Sequence, residues 1–264
     1  MTPVIGASTR WRIIRALHRA RLLNAVEMAQ VIYRYLCRMP HEQEFRYFRK
    51  YPTAKGGLFL DVGANIGQAV LSLSIFRPDL RIIAFEPNPA LANRLRLVRR
   101  IVGKQLTTRM TGLADRAATR TAYLPRVCGV PFLQEVTMDR SALFAPENQE
   151  RFRKVVGKDF PDQFEIEELQ MRFEALDELN LDPDIVKIDV QGAEPVVLAG
   201  MRDTIQRCRP LLMVEADLLA GSRECAEFLT DFGYRAFVYD PATDGLRAWD
   251  GVSVGINLFF TVAT

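Results

Sequence analysis

Cysteine and histidine are scarce in this sequence, which narrows the chemistry that it supports. The 264 residues include four cysteines and two histidines. The cysteines form no Cys-x-x-Cys pair and no metal-ligand spacing, which argues against structural zinc and favours reduced thiols in the cytoplasm; they are Cys37, Cys128, Cys208 and Cys225. Both histidines, His18 and His41, precede the first predicted strand, so we expect carboxylates to act as bases.

Long apolar runs are missing from the first 50 residues, so we expect neither a signal peptide nor a membrane span there. Residues 1–50 are instead basic, with a net charge of +7, whereas the whole chain carries +3. Apolar residues at helical spacing predict two helices, about Thr9–Leu23 and Ala25–Cys37. We expect this N-terminal helical extension to pack on the sheet that follows. Weak contact with a membrane surface, or with an acidic partner, is the alternative.

Two common nucleotide-binding motifs are absent. No Gly-Lys-Ser/Thr follows a glycine turn, which excludes a P-loop, and the G-x-G-x-x-G spacing of dinucleotide sites is not met. The chain has Phe59–Gly67 instead, in which an apolar strand (Leu58–Leu60) ends at Asp61 and Gly63 and Gly67 form the turn. A helix follows, so a ligand can lie against bare backbone near its N-terminus. Asp61 would repel a diphosphate, and it suits a cationic ligand such as S-adenosylmethionine.

A second acidic residue ends the next predicted strand. Leu80–Phe85 is largely apolar, and Glu86 follows it about 20 positions after the glycine turn. An acid at that distance is placed to accept hydrogen bonds from both ribose hydroxyls of an adenosine. The alternative is an N-cap for the helix predicted over Pro89–Val102. The order and spacing relative to Asp61 favour the ligand role.

Acidic residues also end two later strands. Asp184–Val190 is a largely apolar strand that includes Asp189, and a helix is predicted over Val196–Cys208. The next strand, Leu211–Val214, ends at Glu215. The carboxyl ends of parallel strands meet at one edge of a sheet, where open α/β sheets bind ligands. Four acids at that edge are hard to explain by packing alone.

These segments resemble the FkbM family of methyltransferases. The resemblance runs from about Leu58 to Glu215 and rests on Phe59–Gly67, Phe85–Pro89, Val186–Glu194, Val197–Gly200 and Pro210–Glu215. It implies an α/β, Rossmann-like class I methyltransferase fold with a seven-stranded, mostly parallel sheet and helices on both faces. It also implies S-adenosylmethionine as cofactor and methylation of a hydroxyl on a sugar, glycan or natural product. The family usually has an acid where Gln191 stands.

The resemblance further implies which residues bind the cofactor. We expect them to be Asp61, Gly63, Asn65, Gly67, Glu86, Asn88, Asp115 and Asp189. Asp115 follows the third strand, predicted over Gln105–Met110. In class I methyltransferases an acid after this strand commonly contacts the adenine amino group. The alternative for Asp115 is a surface turn.

The resemblance indicates a methyltransferase domain over residues 51–264. Within it, residues 126–173 carry no family motif and are interrupted by prolines, so we expect an insert that helps to select the acceptor. The C-terminal part predicts a helix and two strands, of which the last is antiparallel in this fold; they are Glu224–Phe232, Tyr234–Tyr239 and Ile256–Val262.

Methyl transfer to a hydroxyl is an in-line displacement that a base assists. We expect the catalytic carboxylates to be Asp189, Glu194 and Glu215, with Asp189 first because it follows a buried strand beside the cofactor. Glu194 precedes a proline at a helix start, and helix capping is its alternative role. A role for His41 as a residue of a lid over the site is left open. Binding of Mg²⁺ by the three carboxylates is a further alternative, although we expect no metal.

Two other functions stay open. An RNA methyltransferase would bind phosphates with the basic N-terminus, but the sequence has no Asn/Asp-Pro-Pro-Tyr/Phe and mixes basic with aromatic residues only over Phe45–Tyr51, so we expect no nucleic acid partner. The second open function is that of a non-catalytic binding module that has kept the fold. Intact Asp61, Gly63, Glu86 and Asp189 argue against it.

Overall fold

The computed structural model describes residues 7–19, 22–157, 160, 164–216, 219–253 and 256–262. The chain forms two compact units. The smaller unit contains Met1–Ile32 and Thr119–Met171, and the larger unit contains Tyr33–Ala118 and Arg172–Thr264. The predicted boundaries at residues 50, 126 and 173 and the role of the insert in acceptor choice stay predictions.

The α-helices in the described ranges are α1 (Ala7–Arg19), α2 (Leu23–Leu36), α3 (Gln68–Phe76), α4 (Ala92–Val102), α5 (Pro146–Val156), α6 (Glu194–Ala199), α7 (Arg202–Cys208) and α8 (Leu219–Thr230). The strands are β1 (Leu58–Val62), β2 (Arg81–Phe85), β3 (Leu106–Arg109), β4 (Gly112–Leu113), β5 (Ala118–Val127), β6 (Val130–Pro131), β7 (Glu165–Glu174), β8 (Ile185–Ile188), β9 (Leu211–Ala216), β10 (Tyr234–Asp240), β11 (Gly245–Ala248) and β12 (Ile256–Val262).

The larger unit is built on a mostly parallel sheet with the strand order β11-β10-β12-β9-β8-β1-β2-β3. The strands from β9 to β3 in this order pair in parallel. The last strand, β12, is antiparallel to its neighbours, as predicted, and it lies between β9 and β10. The α/β class is therefore confirmed. Within the described part of the chain the sheet has eight strands rather than seven, because the turn-rich stretch after β10 contributes β11 as an antiparallel edge strand.

The centre of this sheet is buried along its whole length. All five residues of β1 and all four residues of β8 are buried, as expected for parallel strands that are covered on both faces. Most of these side chains are apolar and belong to one continuous core. Two are charged: Asp61 on β1 and Lys187 on β8 are neighbours in the strand register. Burial of charge in a core is costly, so this pair marks the region to be examined for function.

The prediction of one continuous helix over Val196–Cys208 is wrong. The structure has two helices, α6 and α7, which are interrupted at Gly200 and Met201. At Gly200 the backbone passes so close to Ala114 that a Cβ atom would lie 1.9 Å from the Ala114 carbonyl oxygen. This close approach places the loop after β4 beside the end of α6.

The smaller unit has an apolar core of its own. Trp11 of α1 is completely buried and its ring centroid lies 5.8 Å from that of Phe132. Val127, Val130 and Val156 complete the buried cluster, and α1 packs on α5. The two predicted N-terminal helices are confirmed as α1 and α2, but the contact of α1 with α5 was not predicted. None of the helices in the described ranges combines the length and apolarity needed to cross a membrane.

Candidate active site

The glycine turn after β1 is held in a left-handed backbone conformation. Gly63 and Gly67 each have φ of +86°, and Asn65 has φ of +49°. A Cβ atom on Gly63 would lie 1.8 Å from the carbonyl oxygen of Asp189, so only glycine lets the end of β1 approach the end of β8. A Cβ on Gly67 would lie 2.9 Å from a methyl group of Val98 on α4. The turn is thereby packed between the end of β8 and helix α4.

Glu86 is bound to this turn through both carboxylate oxygens. Its Oε2 accepts a hydrogen bond from the backbone N–H of Asn65, and its Oε1 accepts one from Asn88, each at 2.8 Å. The side chain is 6% exposed, and burial raises its pKa to about 7 against the two N–H donors that favour the charged form. Each oxygen keeps a lone pair for a further donor. A short 3-10 helix, Pro89–Leu91, precedes α4, and its N-cap is Asn88, whose Oδ1 accepts from the Ala90 N–H at 3.0 Å. The N-cap alternative therefore does not apply to Glu86.

Asp61 is the most deeply buried acid of the site. It is completely inaccessible to solvent, and neither carboxylate oxygen has a hydrogen-bond partner among the described residues. Burial raises its pKa to about 6, the Lys187 ammonium opposes that rise, and Asp189 adds to it. A carboxylate in this position offers acceptor atoms without donors, which fits a cationic ligand or ordered water.

Lys187 joins two of the predicted site residues. Its Nζ lies 2.7 Å from Oδ2 of Asp189, and the lysine side chain is only 2% exposed. Burial alone would lower the pKa of Lys187, but Asp189 and Asp61 outweigh it and raise the pKa. Burial alone would raise the pKa of Asp189, and the ammonium outweighs it and lowers the pKa. Lys187 therefore stays protonated and holds Asp189 as a carboxylate.

The turn after β8 brings Glu215 into the same group. Gln191 has φ of +57°, and its Nε2 donates to Oε2 of Glu215 at 3.2 Å and to Oδ1 of Asp189 at 3.4 Å. The amide at position 191 thus links two carboxylates, where an acid would repel them. Asp189 and Glu215 lie together at the edge of the sheet.

Glu194 shapes the turn on which Asp189 and Gln191 are carried. Its Oε1 accepts hydrogen bonds from the backbone N–H groups of Val190 and Gly192, both at 3.1 Å. The side chain is buried at the first position of α6, before Pro195. These contacts are those of a turn-stabilising residue at a helix start, the alternative role noted for it.

Comparison with known families gives this arrangement its context. A model described as the methyltransferase FkbM domain matches residues 61–236. The chain belongs to the FkbM methyltransferase family. Among curated proteins, none matches the sequence.

Solved structures similar to this FkbM methyltransferase are distant in sequence. Methyltransferase FkbM from Methylobacillus flagellatus KT is 17% identical, with a TM-score of 0.49 over 83% of this chain and 48% of that one. The chain thus spans about half the length of that relative. Precorrin-6y C5,15-methyltransferase from Geobacter metallireducens is 15% identical, with a TM-score of 0.41 over 83% and 84%. Fibrillarin from Aeropyrum pernix, with natively bound S-adenosyl-L-methionine, is 14% identical, with a TM-score of 0.42 over 83% and 73%.

S-adenosylmethionine is the cofactor of this methyltransferase, and the edge of the sheet fits it. The unpaired oxygens of Asp61 suit a cationic group, and the remaining lone pairs of Glu86 suit two hydroxyl donors. The glycine turn from Gly63 to Gly67 leads directly into α3, and the N-cap residue of this helix is Gly67, which has no side chain to cap it. The observed contacts are therefore complementary to an adenosine bearing a positive charge.

Asp115 follows β4 near the same edge. Its carboxylate is 37% exposed and lies 3.9 Å from Nε of Arg116. The close approach of Gly200 to Ala114 fixes the backbone just before it. Contact of Asp115 with adenine stays a prediction.

The FkbM methyltransferase site contains two residues that the motifs did not predict as ligands, His41 and Glu42. The His41 backbone N–H donates to Oγ of Ser72 at 2.9 Å, and His41 Nε2 lies 3.2 Å from Oε1 of Glu42. Both side chains affect the pKa of Asp61: His41 lowers it and Glu42 raises it. Each effect is smaller than those of burial, Lys187 and Asp189. The sequence signal was weak: one of two histidines, followed by an acid, shortly before the first strand.

No group of three His, Cys, Asp or Glu side chains in the described ranges is arranged to hold a metal ion. Asp189, Glu194 and Glu215, the set considered for Mg²⁺, instead have the lysine, backbone and glutamine contacts given above.

Proposed function

We propose that this chain transfers a methyl group to a hydroxyl oxygen of a sugar, glycan or natural product. The observation that carries the proposal is the group of carboxylates at the carboxyl edge of the sheet. Asp61 and Glu86 offer acceptor atoms to a cationic nucleoside, while Asp189 and Glu215 lie together beside them. One set therefore serves the cofactor and the other serves the acceptor.

On the cofactor side, we assign the ribose hydroxyls to Glu86, whose position is fixed by the N–H groups of Asn65 and Asn88. Asp61 faces the cationic amino-acid portion. The backbone of Gly63 and Gly67 lets the ligand approach closely, because neither residue has a side chain to exclude it. Asp115 receives the adenine amino group, as the family resemblance implies.

On the acceptor side, S-adenosylmethionine when bound supplies an electrophilic methyl group. Asp189 and Glu215 accept the hydrogen bond of the acceptor hydroxyl and orient its oxygen for in-line attack. Because Lys187 lowers the pKa of Asp189, this carboxylate is charged throughout the neutral range and ready to take the proton. Alignment supplies most of the catalysis, and removal of the proton adds to it. Glu194 holds the turn that carries Asp189.

The proposal is tested by methyl transfer from S-adenosylmethionine that carries a carbon-13 methyl group. Sugars, glycans and hydroxylated natural products are offered as acceptors, and carbon NMR of the product distinguishes O-, N- and C-methyl groups. We expect an O-methyl product that Asp189→Asn reduces by at least about a hundredfold, the usual lower range for a general base. The matched variant Asp203→Asn, at an exposed acid on α7, should leave the rate unchanged. Label found on nitrogen, on carbon or in RNA would refute the proposal.

A further inference from the structure

One more carboxylate is held at the site by the segment that precedes the sheet. Gln43–Arg49 is a 3-10 helix, and Phe45 and Phe48 within it are completely buried. The ring centroid of Phe48 lies 5.7 Å from that of Phe59 on β1. His41 and Glu42 directly precede this 3-10 helix. Their position is thereby fixed in relation to the strand that carries Asp61.

Hydrogen bonds orient the Glu42 side chain. Ser72 Oγ accepts the His41 backbone N–H at 2.9 Å and lies 3.1 Å from His41 Nδ1. When the Ser72 hydroxyl donates to Nδ1, the imidazole carries its proton on Nε2, which lies 3.2 Å from Glu42 Oε1. Ser72, His41 and Glu42 then form a chain of donors and acceptors that uses Oε1 of the glutamate. The second oxygen, Oε2, is buried and has no hydrogen-bond partner in the part of the chain that the structure describes.

Asp61 independently indicates that a ligand with hydrogen-bond donors binds beside Glu42. It is wholly buried, and neither of its oxygens is hydrogen-bonded within the described ranges. Glu42 is among the groups that act on it electrostatically. The buried ammonium nearby, that of Lys187, makes its hydrogen bond with Asp189 at 2.7 Å. Three acceptor atoms on the two acids therefore have no hydrogen-bond donor among the described residues. A hydroxyl has one proton to donate, whereas an ammonium group has three and a positive charge.

We propose that Glu42, together with Asp61, binds the α-ammonium group in the amino-acid portion of S-adenosylmethionine. This inference rests on the proposed function, since it assigns a further contact to the same cofactor. The Ser72–His41 pair is the positioning device: it directs Oε1 of Glu42 and leaves Oε2 for the ligand. Glu42 is then a cofactor-binding residue contributed from outside the sheet.

The test is calorimetric titration of the full chain with S-adenosylhomocysteine and with its deaminated analogue, in which hydrogen replaces the amino group. The wild type should bind the deaminated ligand at least about tenfold more weakly, the usual effect of losing a hydrogen bond to a charged group. Glu42→Gln should lose part of this factor for S-adenosylhomocysteine, since Asp61 still contacts the ammonium, and should bind the deaminated analogue as the wild type does. Glu44→Gln, on the same segment, should match the wild type with both ligands.

Equal affinity of the wild type for the two ligands would overturn the inference, even if Glu42→Gln did not fold. So would a Glu42→Gln protein that binds S-adenosylhomocysteine normally. Either result, with binding still lost in Glu86→Ala, leaves the proposed function standing. Absence of binding of both ligands to the folded wild type would instead remove the proposed function itself.

Discussion

Replacement of Glu86 by glutamine should change how the stability of the protein depends on pH. Burial raises the pKa of Glu86 from its ordinary value of 4.5 to about 7. A carboxyl group whose pKa is higher in the folded state stabilises that state fully below pH 4.5. It loses this contribution as the pH rises through 7. Glutamine does not titrate, so the variant lacks this pH dependence.

The size of the effect follows from the two pKa values. Between pH 5 and pH 8 the wild type should lose about 2–3 kcal/mol more unfolding free energy than Glu86→Gln, since each pKa unit is worth about 1.4 kcal/mol. A constant offset is expected as well, because the glutamine NH₂ group cannot accept one of the two backbone N–H bonds. The pH-dependent part is independent of that offset. Asp61 titrates in both proteins, and its electrostatic coupling to Glu86 is part of the measured difference.

The assay is urea unfolding at a series of pH values, carried out in the absence of cofactor. A Trp11→Phe background leaves Trp249 as the tryptophan, and this residue reports on the larger unit. Glu227→Gln, at an exposed position on α8, is the matched control and should follow the wild type at every pH. If the difference between wild type and Glu86→Gln stays constant from pH 5 to pH 8, burial does not raise the pKa of Glu86 and the reasoning is wrong.

Three other outcomes are expected. Lys187→Met should cost about 3–5 kcal/mol in unfolding free energy, because it leaves the buried carboxylate of Asp61 and the partly exposed one of Asp189 without their cation; urea unfolding measures this, and a loss below about 1 kcal/mol would contradict it. Gly63→Ala should abolish S-adenosylhomocysteine binding in calorimetry, whereas Gly56→Ala, also at positive φ but with open space around it, should retain it. Methyl transfer should survive excess EDTA, because the Lys187 ammonium already supplies the positive charge beside Asp189; loss of activity that Mg²⁺ restores would contradict this.

The parallel sheet could be predicted because buried strands appear in the sequence as continuous apolar runs. The prediction for Ile256–Val262 coincides with β12. β11 was missed because Gly-Leu-Arg-Ala shows neither an apolar run nor alternation, and only its pairing with β10 makes it a strand. The break at Gly200 was missed although a glycine stands there, and the close approach of its backbone to Ala114 is a tertiary contact that the sequence does not indicate.

Within the site, the acids that end strands were predictable, because strand order alone brings them to one edge. Asp61, Glu86 and Asp189 are examples. The partners of those acids were not predictable. Lys187 looked like a polar interruption of an apolar strand, and its pairing depends on the geometry of the turn after it. His41 reaches Ser72 across 31 positions, a contact that no spacing in the sequence indicates.

The most direct test of the account is isothermal titration of the purified chain with S-adenosylmethionine and with S-adenosylhomocysteine, in wild type and in Glu86→Ala. The account predicts binding of both ligands in the micromolar range. In Glu86→Ala, which should still fold, we expect binding of both to be lost, because we assign the ribose to the carboxylate between Asn65 and Asn88. No binding of either ligand to the folded wild type would contradict the methyltransferase account.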